Sequence, residues 1–301
     1  MINGITVIFK EAGFTSHDVV AKMRGICGQK KIGHTGTLDP MATGVLPVCL
    51  GSATKLCDML ADRDKEYVAE LLLGVETDTQ DTTGQVLAEH PVEVTEVQVR
   101  EAACSFVGDY DQVPPMYSAL KVHGKKLYEL ARAGKEVERK ARPVVIKELE
   151  ILECAVPVIR FRVVCSKGTY IRTLCADIGE KLGCGGTMRK LERIRVGSFL
   201  LKDARTLDDM QRMKEEGRLQ EAVLPVDSVF AEYPVLHVHS DFCRLVDNGN
   251  AFLMEQTLEK ESYAPGRWVR VYRPDESFVG IYAWEAEQKR YKPVKMFLEK
   301  E

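Results

Sequence analysis

Several patterns that identify common enzyme classes are absent from this 301-residue sequence. None of its nine cysteines belongs to a C-x-x-C pair, so the sequence predicts no metal site. It contains neither a G-x-x-x-x-G-K-S/T phosphate loop nor a G-x-G-x-x-G dinucleotide loop, and it has no G-x-S-x-G elbow. These absences argue against a nucleotide-dependent enzyme and against a serine hydrolase.

Long apolar runs and a strong charge of one sign are also missing. No uncharged apolar stretch approaches the roughly 18 residues of a membrane span, and the N-terminus lacks the pattern of a signal peptide. We therefore expect a cytoplasmic protein without membrane contact, whose scattered cysteines are small core residues in a reducing compartment. The net charge of −3 argues mildly against a nucleic-acid partner.

The charge is nevertheless distributed unevenly along the chain. Between residues 117 and 147, nine basic residues face three glutamates, a net charge of +6: Lys121, Lys125, Lys126, Arg132, Lys135, Arg139, Lys140, Arg142 and Lys147. A second basic cluster surrounds Glu192: Arg189, Lys190, Arg193 and Arg195. Taken singly, each run indicates a solvated helix face more than a binding site, but the polarity along the chain favours one positive face.

Helical and strand-like segments succeed one another without βαβ regularity, which predicts an α+β fold. Residues 16 to 28 read as an amphipathic helix with Ser16 as a candidate N-cap, and YVAELLLG as a strand. We expect a catalytic domain over residues 1–230, interrupted by a basic insertion at about 117–147, and a small β-rich domain over 232–301.

One acid stands alone in the stretch GHTGTLDPMATGVLPV, residues 33–48. Asp39 precedes a proline among glycines and threonines, so it lies on a bent loop against a core segment. Such an aspartate either caps backbone amides or acts chemically, and the stretch alone favours neither. As a nucleophile it needs a cation nearby, and Arg172, which follows a strand and opens a helix, is the candidate.

Two other enzyme chemistries receive little support from the residues. The turn GVETDTQDTTG contains Glu76, Asp78 and Asp81 but not the order of a calcium loop. A phosphotransferase with an aspartyl nucleophile expects a second acid two residues after Asp39, where this chain has Met41.

Four segments resemble, in order and spacing, the motifs of the bacterial tRNA pseudouridine-55 synthase family, TruB. They are GHTGTLDPMATGVLPVCLG, DKEYVAELLLGVETDTQDTTG, PPMYSALKVHGKKLYELAR and SKGTYIRTLCADIG. Four ordered motifs are far more specific than any one of them. The resemblance implies a pseudouridine-synthase-like core with a mixed, mainly antiparallel sheet flanked by helices. The segment from 232 onward resembles the PUA-like RNA-binding domain that ends these enzymes.

The resemblance also implies roles for the residues that match the motifs. Asp39 would be the nucleophile that attacks a flipped uridine, either at ribose C1′ or at uracil C6. Tyr67 would stack on the flipped base, and Arg172 would pair with Asp39. Leu191 would form the apolar wall of the pocket, and His34 would enter the T-loop in place of extruded bases.

The basic insertion acquires a purpose from the same resemblance. It lies where family members carry a mobile insertion that closes over RNA, so Lys121 is expected to bind substrate. The partner would be the T-stem-loop of tRNA, with no cofactor and no protein partner, which predicts a monomer. Two alternatives stay open at this point: an RNA-binding protein that has the fold without the activity, and a hydrolase or phosphotransferase with an aspartyl nucleophile.

Overall fold

The computed structural model describes residues 1–122 and 124–298, so the last three residues of the expected C-terminal domain lie outside it. These ranges contain seven α-helices: α1 Ser16–Cys27, α2 Cys57–Ala61, α3 Glu96–Cys104, α4 Leu127–Arg132, α5 Ile171–Lys181, α6 Leu207–Glu215 and α7 Cys243–Asp247. They contain eighteen strands: β1 Gly4–Lys10, β2 Ile32–His34, β3 Thr43–Leu50, β4 Lys65–Leu73, β5 Val75–Thr77, β6 Val86–Glu89, β7 Gly108–Gln112, β8 Lys121–Val122, β9 Lys125–Lys126, β10 Arg142–Ala155, β11 Val158–Cys165, β12 Gly186–Val196, β13 Phe199–Leu200, β14 Val235–His237, β15 Phe252–Leu253, β16 Trp268–Tyr272, β17 Phe278–Glu285 and β18 Arg290–Met296. Short 3-10 helices occupy Gly51–Leu56, Leu201–Asp203, Leu219–Ala222, Val226–Phe230, Ser240–Phe242, Met254–Gln256 and Ala286–Gln288. No helix in this described part of the chain has the length and apolar character needed to cross a bilayer.

Nine strands form one large sheet with the main order β1-β3-β12-β4-β11-β10-β7. β2 pairs with β3, and β13 with β12, off this path. The β3–β12 pair is parallel, whereas the other pairs are antiparallel. Helices α1, α3, α5 and α6 contribute apolar residues to the cores that pack on the sheet. The predicted α+β fold with a mixed, mainly antiparallel sheet is confirmed.

Strand β4 shows how the sequence creates the face that carries the site. Every second residue of KEYVAELLL is buried, from Lys65 through Tyr67 to Leu73, and the residues between them are partly exposed. Because side chains alternate across a strand, the Tyr67 face packs into the main core with helices α3 and α5. The opposite face carries Glu66 and Glu70.

Helix α1 begins one residue earlier than its sequence suggests. The N-cap is Thr15, whose side chain accepts a hydrogen bond from the Asp18 amide in a capping box. The expected cap, Ser16, is instead the buried first residue of the helix. Its hydroxyl accepts a hydrogen bond from the amide of Leu38 at 2.9 Å. Ser16 therefore anchors the chain next to Asp39 and caps no helix.

The C-terminal strands form a second sheet of five strands in the order β14-β16-β17-β18-β15. It encloses an apolar core of its own. Ile281 and Phe297 from this unit also share a buried cluster with Ile5 and Val45 of the large sheet. The boundary near residue 231 stays a prediction, but a cut there would expose apolar surface on both sides.

The second basic cluster lies on strand β12 and not on a solvated helix face. Its members split between the two faces of the sheet. Lys190 approaches Glu70 at 3.1 Å and Arg195 binds Glu66 at 2.6 Å on the outer face. Arg193 points inward and is fully buried. The cluster is therefore largely neutralised or enclosed.

A paired glycine substitution tests how closely helix α5 packs on the sheet. A Cβ at Gly179 would lie 2.3 Å from backbone atoms of Gly185 and Gly186. Gly179→Ala should therefore lower the free energy of unfolding by roughly 1–3 kcal/mol, as overpacking does. Gly25→Ala in helix α1 has no atom within 4 Å of the new Cβ and should raise stability by about 0.5–1 kcal/mol. Urea unfolding of both variants measures this, and equal effects would contradict it.

Candidate active site

Asp39 lies on a loop, residues 35–42, between strands β2 and β3. The loop is fixed by its main chain. The Leu38 amide donates to Ser16, the Ala42 amide donates to the Asp39 carbonyl at 3.1 Å, and the Gly13 amide donates to the Pro40 carbonyl at 2.9 Å. Leu38 itself is buried in the main core. The bent loop predicted from its glycines and proline is therefore held from several directions.

The buried lysine Lys10 also binds the loop that carries Asp39. Lys10, the last residue of β1, is fully buried, and its ammonium donates to the carbonyls of Pro40 at 3.0 Å, Phe14 at 2.7 Å and Glu11 at 3.1 Å. Burial lowers the pKa of Lys10 to about 8, and the negative charge of Asp39 partly opposes this. Lys10 thus places a second cation near the carboxylate, which the sequence did not indicate, because a lysine at a strand end is ordinarily solvated.

The Asp39 carboxylate forms an ion pair with the guanidinium of Arg172. Arg172 Nε lies 2.9 Å from Asp39 Oδ2, and Arg172 Nη2 donates to Asp39 Oδ1 at 3.3 Å. Arg172 is in the first turn of α5, which follows β11, as its sequence suggested. Its side chain is 6% exposed, whereas 38% of the Asp39 side chain is accessible. The contact expected between these two residues is present, with the acid on the solvent side.

The other Arg172 donors join the loop to two further segments. Nη1 donates to the Thr79 carbonyl at 3.0 Å, and Nη2 donates to the Tyr117 carbonyl at 2.8 Å. Asp81 Oδ2 is 3.8 Å from Nη1. The acidic turn that had been weighed only as a metal loop therefore contributes Asp81 to the site. Its signal in the sequence was membership of the second family-like motif.

Burial outweighs ion pairing at the Asp39 carboxyl group. Desolvation raises its pKa above the ordinary value, Arg172 lowers it, Asp81 raises it and Lys10 lowers it, in that order of size. Arg172 thus lowers the pKa of Asp39, as an ion pair does, but its effect is smaller than that of burial. Most of the surroundings of the carboxylate are protein atoms even though one side reaches solvent. The ionised acid is consequently less stable, and more reactive, than a solvated one.

Tyr67 and Leu191 lie on neighbouring strands and face the same core as Leu38. Tyr67 is on β4 and Leu191 on β12, where Leu191 pairs with Ala69. Both side chains are nearly buried and belong to the cluster that contains Leu38 and Ala42 from the Asp39 loop. Burial raises the pKa of Tyr67 to about 12, Arg193 lowers it, and Asp39 contributes a small rise. The structure thus brings Tyr67, Leu191 and the loop together.

His34 ends strand β2, five residues before Asp39, and is partly buried. Its Nδ1 accepts a hydrogen bond from the Gly36 amide at 3.2 Å, and its ring meets His17 edge-on with centroids 5.8 Å apart. Burial, then His17 and Arg193, lower its pKa. Both the burial and the accepted hydrogen bond favour the neutral imidazole.

Lys121 lies on the basic insertion and apart from the buried groups. It belongs to the short hairpin β8–β9 and is exposed. Lys121, Lys125, Lys135 and Lys140 form no ion pair within residues 1–122 and 124–298, whereas Arg139 pairs with Glu136 at 3.3 Å. The insertion meets the site through Tyr117, whose carbonyl binds Arg172. The insertion therefore reaches the site through a main-chain carbonyl, and these four lysines form no ion pair with Asp39.

Comparison with known proteins identifies two matching family models. Residues 24–171 match the TruB family pseudouridylate synthase (N-terminal domain), and residues 172–231 match the tRNA pseudouridylate synthase B C-terminal domain. The chain is 49% identical to tRNA pseudouridine synthase B of Lachnoclostridium phytofermentans, over 99% of this chain and 100% of that protein. It is 46% identical to the protein of the same name from Alkaliphilus oremlandii, with 100% of both chains covered.

Solved structures with the same fold are also found. One is a Cbf5-Nop10-Gar1 complex, with a TM-score of 0.72 and 27% identity over 98% of this chain and 85% of that one. Another is an H/ACA RNP bound to a substrate RNA containing 2′-deoxyuridine, with a TM-score of 0.72, 25% identity and the same coverage.

Replacing Asp39 by Asn should increase the free energy of unfolding at neutral pH. Folding raises the pKa of Asp39 above 3.8, so the folded state binds this proton more tightly than the unfolded chain. The destabilisation by ionised Asp39 is absent below the unfolded pKa, develops as pH rises towards the folded pKa and is complete above it. Urea unfolding at several pH values measures the gain. Asp111→Asn, on the exposed side of β7, is the control, and an Asp39→Asn variant less stable than this control at pH 7 would contradict the argument.

Proposed function

The chain belongs to the TruB family of pseudouridylate synthases, and from this premise we propose that it converts the uridine at position 55 in the T-loop of tRNA to pseudouridine. It is a pseudouridine synthase, an isomerase that acts on tRNA uridine. This identification excludes both alternatives left open by the residues, a non-catalytic RNA-binding protein and a phosphotransferase or hydrolase. The position of the uridine and the aspartate mechanism are the proposal.

The observation that carries the mechanism is the Asp39–Arg172 pair. An attacking carboxylate has to be ionised, poorly solvated and open on one side. Arg172 holds both carboxylate oxygens, while 38% of the Asp39 side chain stays accessible. A partly desolvated carboxylate beside a fixed cation is a nucleophile that needs no general base. These contacts support Asp39 as the attacking group.

The reaction exchanges one bond to the ribose for another. The N1–C1′ bond breaks, the C5–C1′ bond forms, C5 loses its proton and N1 ends protonated, so no electron or group donor is required. Asp39 can serve this exchange by attacking either ribose C1′ or uracil C6, and both routes remain in the proposal. In either route, Arg172 keeps the carboxylate in place while negative charge leaves it.

The target base has to leave its stack before it can meet Asp39. Unstacking costs a few kcal/mol, and contacts in the protein have to offset it. We assign Tyr67 to stacking on the flipped uracil and Leu191 to the apolar wall beside it, because both share a core with the Asp39 loop. His34, neutral and at the rim, would occupy space vacated by the extruded bases.

The basic insertion is proposed to contact the RNA backbone. Exposed Lys121 and its unpaired neighbours supply the positive charge that phosphates require. The link from Tyr117 to Arg172 places this insertion next to the nucleophile. The PUA-like segment from 232 onward would add a further RNA contact. An enzyme of this kind is expected to act as a monomer in the cytoplasm.

Asp39→Asn should abolish product formation while leaving RNA binding nearly intact. The amide has the shape of the acid without its charge, so the loss should reach at least about a thousandfold, or some 4 kcal/mol of barrier. Pseudouridine in an unmodified T-stem-loop RNA is measured under single-turnover conditions, alongside a filter-binding assay. A T-stem-loop RNA in which cytidine replaces uridine 55 serves as the substrate control. Activity of Asp39→Asn above that limit would disprove the nucleophile assignment.

Substitutions at Tyr67 separate stacking from hydroxyl chemistry. Tyr67→Leu removes the ring but fills much of its space, and it should lose roughly 1–3 kcal/mol of base stacking. Tyr67→Phe keeps the ring and should lose less than about tenfold in rate. Single-turnover rates and RNA dissociation constants of both variants measure the two contributions. Equal inactivity of the two with normal RNA binding would assign the hydroxyl a chemical role instead.

A further inference from the structure

Arg193 is a buried cation that bonds main-chain carbonyls instead of an acid. Its side chain is 1% exposed. Nε donates to the Val45 carbonyl at 2.8 Å, Nη2 to the Gly36 carbonyl at 3.2 Å, and Nη1 to the Thr37 carbonyl at 3.5 Å. No carboxylate of residues 1–122 or 124–298 forms an ion pair with it. Burying the charge of Arg193 without an acidic partner costs free energy of folding. An arginine at this position therefore needs an explanation other than the filling of space.

The carbonyls that Arg193 binds lie on both sides of Asp39. Gly36 and Thr37 precede the acid, and Val45 follows it on strand β3. The Arg193 guanidinium therefore binds the beginning of the loop that carries Asp39. It also binds strand β3, which follows this loop. Strands β3 and β12 also run very close here, since a Cβ at Gly44 would lie 2.2 Å from the Arg193 carbonyl oxygen.

Arg193 is also the cross-strand neighbour of Tyr67. The two residues pair directly between β12 and β4, which places their side chains on the same face of the sheet. The guanidinium interacts with the Tyr67 phenol and lowers its pKa against the larger effect of burial. The same side chain thus contacts the loop that carries Asp39 and the aromatic residue assigned to the flipped base.

We propose that Arg193 is a positioning residue for the isomerisation, and that its guanidinium sets the distance between the Asp39 carboxylate and the Tyr67 ring. This inference rests on the proposed function, because it assigns the two groups that have to meet one uridine. An arginine suits the task since its three nitrogens donate in fixed, divergent directions. A lysine retains the charge but cannot hold all of these acceptors at once.

The test compares Arg193→Lys and Arg193→Met with a matched control on the same strand. Lys190→Met removes a positive charge from the outer face of β12, where Lys190 pairs with Glu70 at 3.1 Å. With saturating enzyme and T-stem-loop RNA, both Arg193 variants should lose about 10- to 100-fold in single-turnover rate. Their RNA dissociation constants should stay within about threefold of wild type, and Lys190→Met should keep the wild-type rate.

A double-variant cycle tests whether Arg193 acts through Tyr67. Tyr67→Phe should slow the reaction less in the Arg193→Lys background than in the wild-type protein, because the contact it removes is already disturbed. If Arg193 had a purely structural role, the rate losses caused by Tyr67→Phe and by Arg193→Lys would multiply in the double variant. Independent losses, or Arg193 variants that are folded and within twofold of the wild-type rate, would overturn the proposal.

Two further measurements keep the test decisive. Circular dichroism measures the folded fraction of each variant. A loss of rate that is fully explained by unfolding would also overturn the proposal. If Arg193→Met does not fold, Arg193→Lys alone is compared with the wild-type protein. Amide hydrogen exchange of a peptide spanning residues 33–48 does not depend on activity. It should be faster in Arg193→Lys and unchanged in Lys190→Met. Wild-type protein inactive on T-loop RNA would contradict the proposed function, and the exchange experiment would then still decide whether Arg193 holds the loop.

Discussion

The contact between the Asp39 carboxylate and the Arg172 guanidinium connects the segments that make up the site. Through Arg172, the loop after β2 is joined to the first turn of α5, to the turn after β5 and to the start of the basic insertion. A carboxylate surrounded mostly by protein needs such a cation, since desolvation alone would favour its neutral form. Each of these segments is distant from the others in sequence, so the pair depends on the tertiary structure.

Two buried cations bind main-chain carbonyls on either side of Asp39. Lys10 holds the Pro40 carbonyl and Arg193 holds those of Gly36 and Val45, so the main chain on either side of Asp39 is fixed by charge-assisted hydrogen bonds. These contacts place positive charge beside the acid without neutralising it by direct pairing. The arrangement lowers the stability of the folded protein but holds the Asp39 carboxylate in a preorganised position, as is common in functional sites.

The charges of the sheet and of the insertion are organised differently. On the outer face of the sheet, Arg162 binds Glu66 at 2.8 Å and Arg195 binds the same acid at 2.6 Å, so this face carries little unpaired charge. The insertion exposes lysines for which the described residues provide no acid. A chain with a net negative charge can therefore present a positive surface to RNA, because pairing removes charge from one face and leaves it on another.

Short-range patterns in the sequence predicted the α+β class, the β4 strand, the bent Asp39 loop and the helix that Arg172 opens. The four family-like motifs further indicated that Asp39 and Arg172 belong to one site. These features depend on residue order, which alternation, turn residues and motif spacing record directly. The tertiary structure alone decided that Lys10 and Arg193 are buried, that Asp81 reaches Arg172, and that desolvation raises the Asp39 pKa. Burial and the balance of charges depend on strands and loops that meet only after folding, so no local pattern reports them.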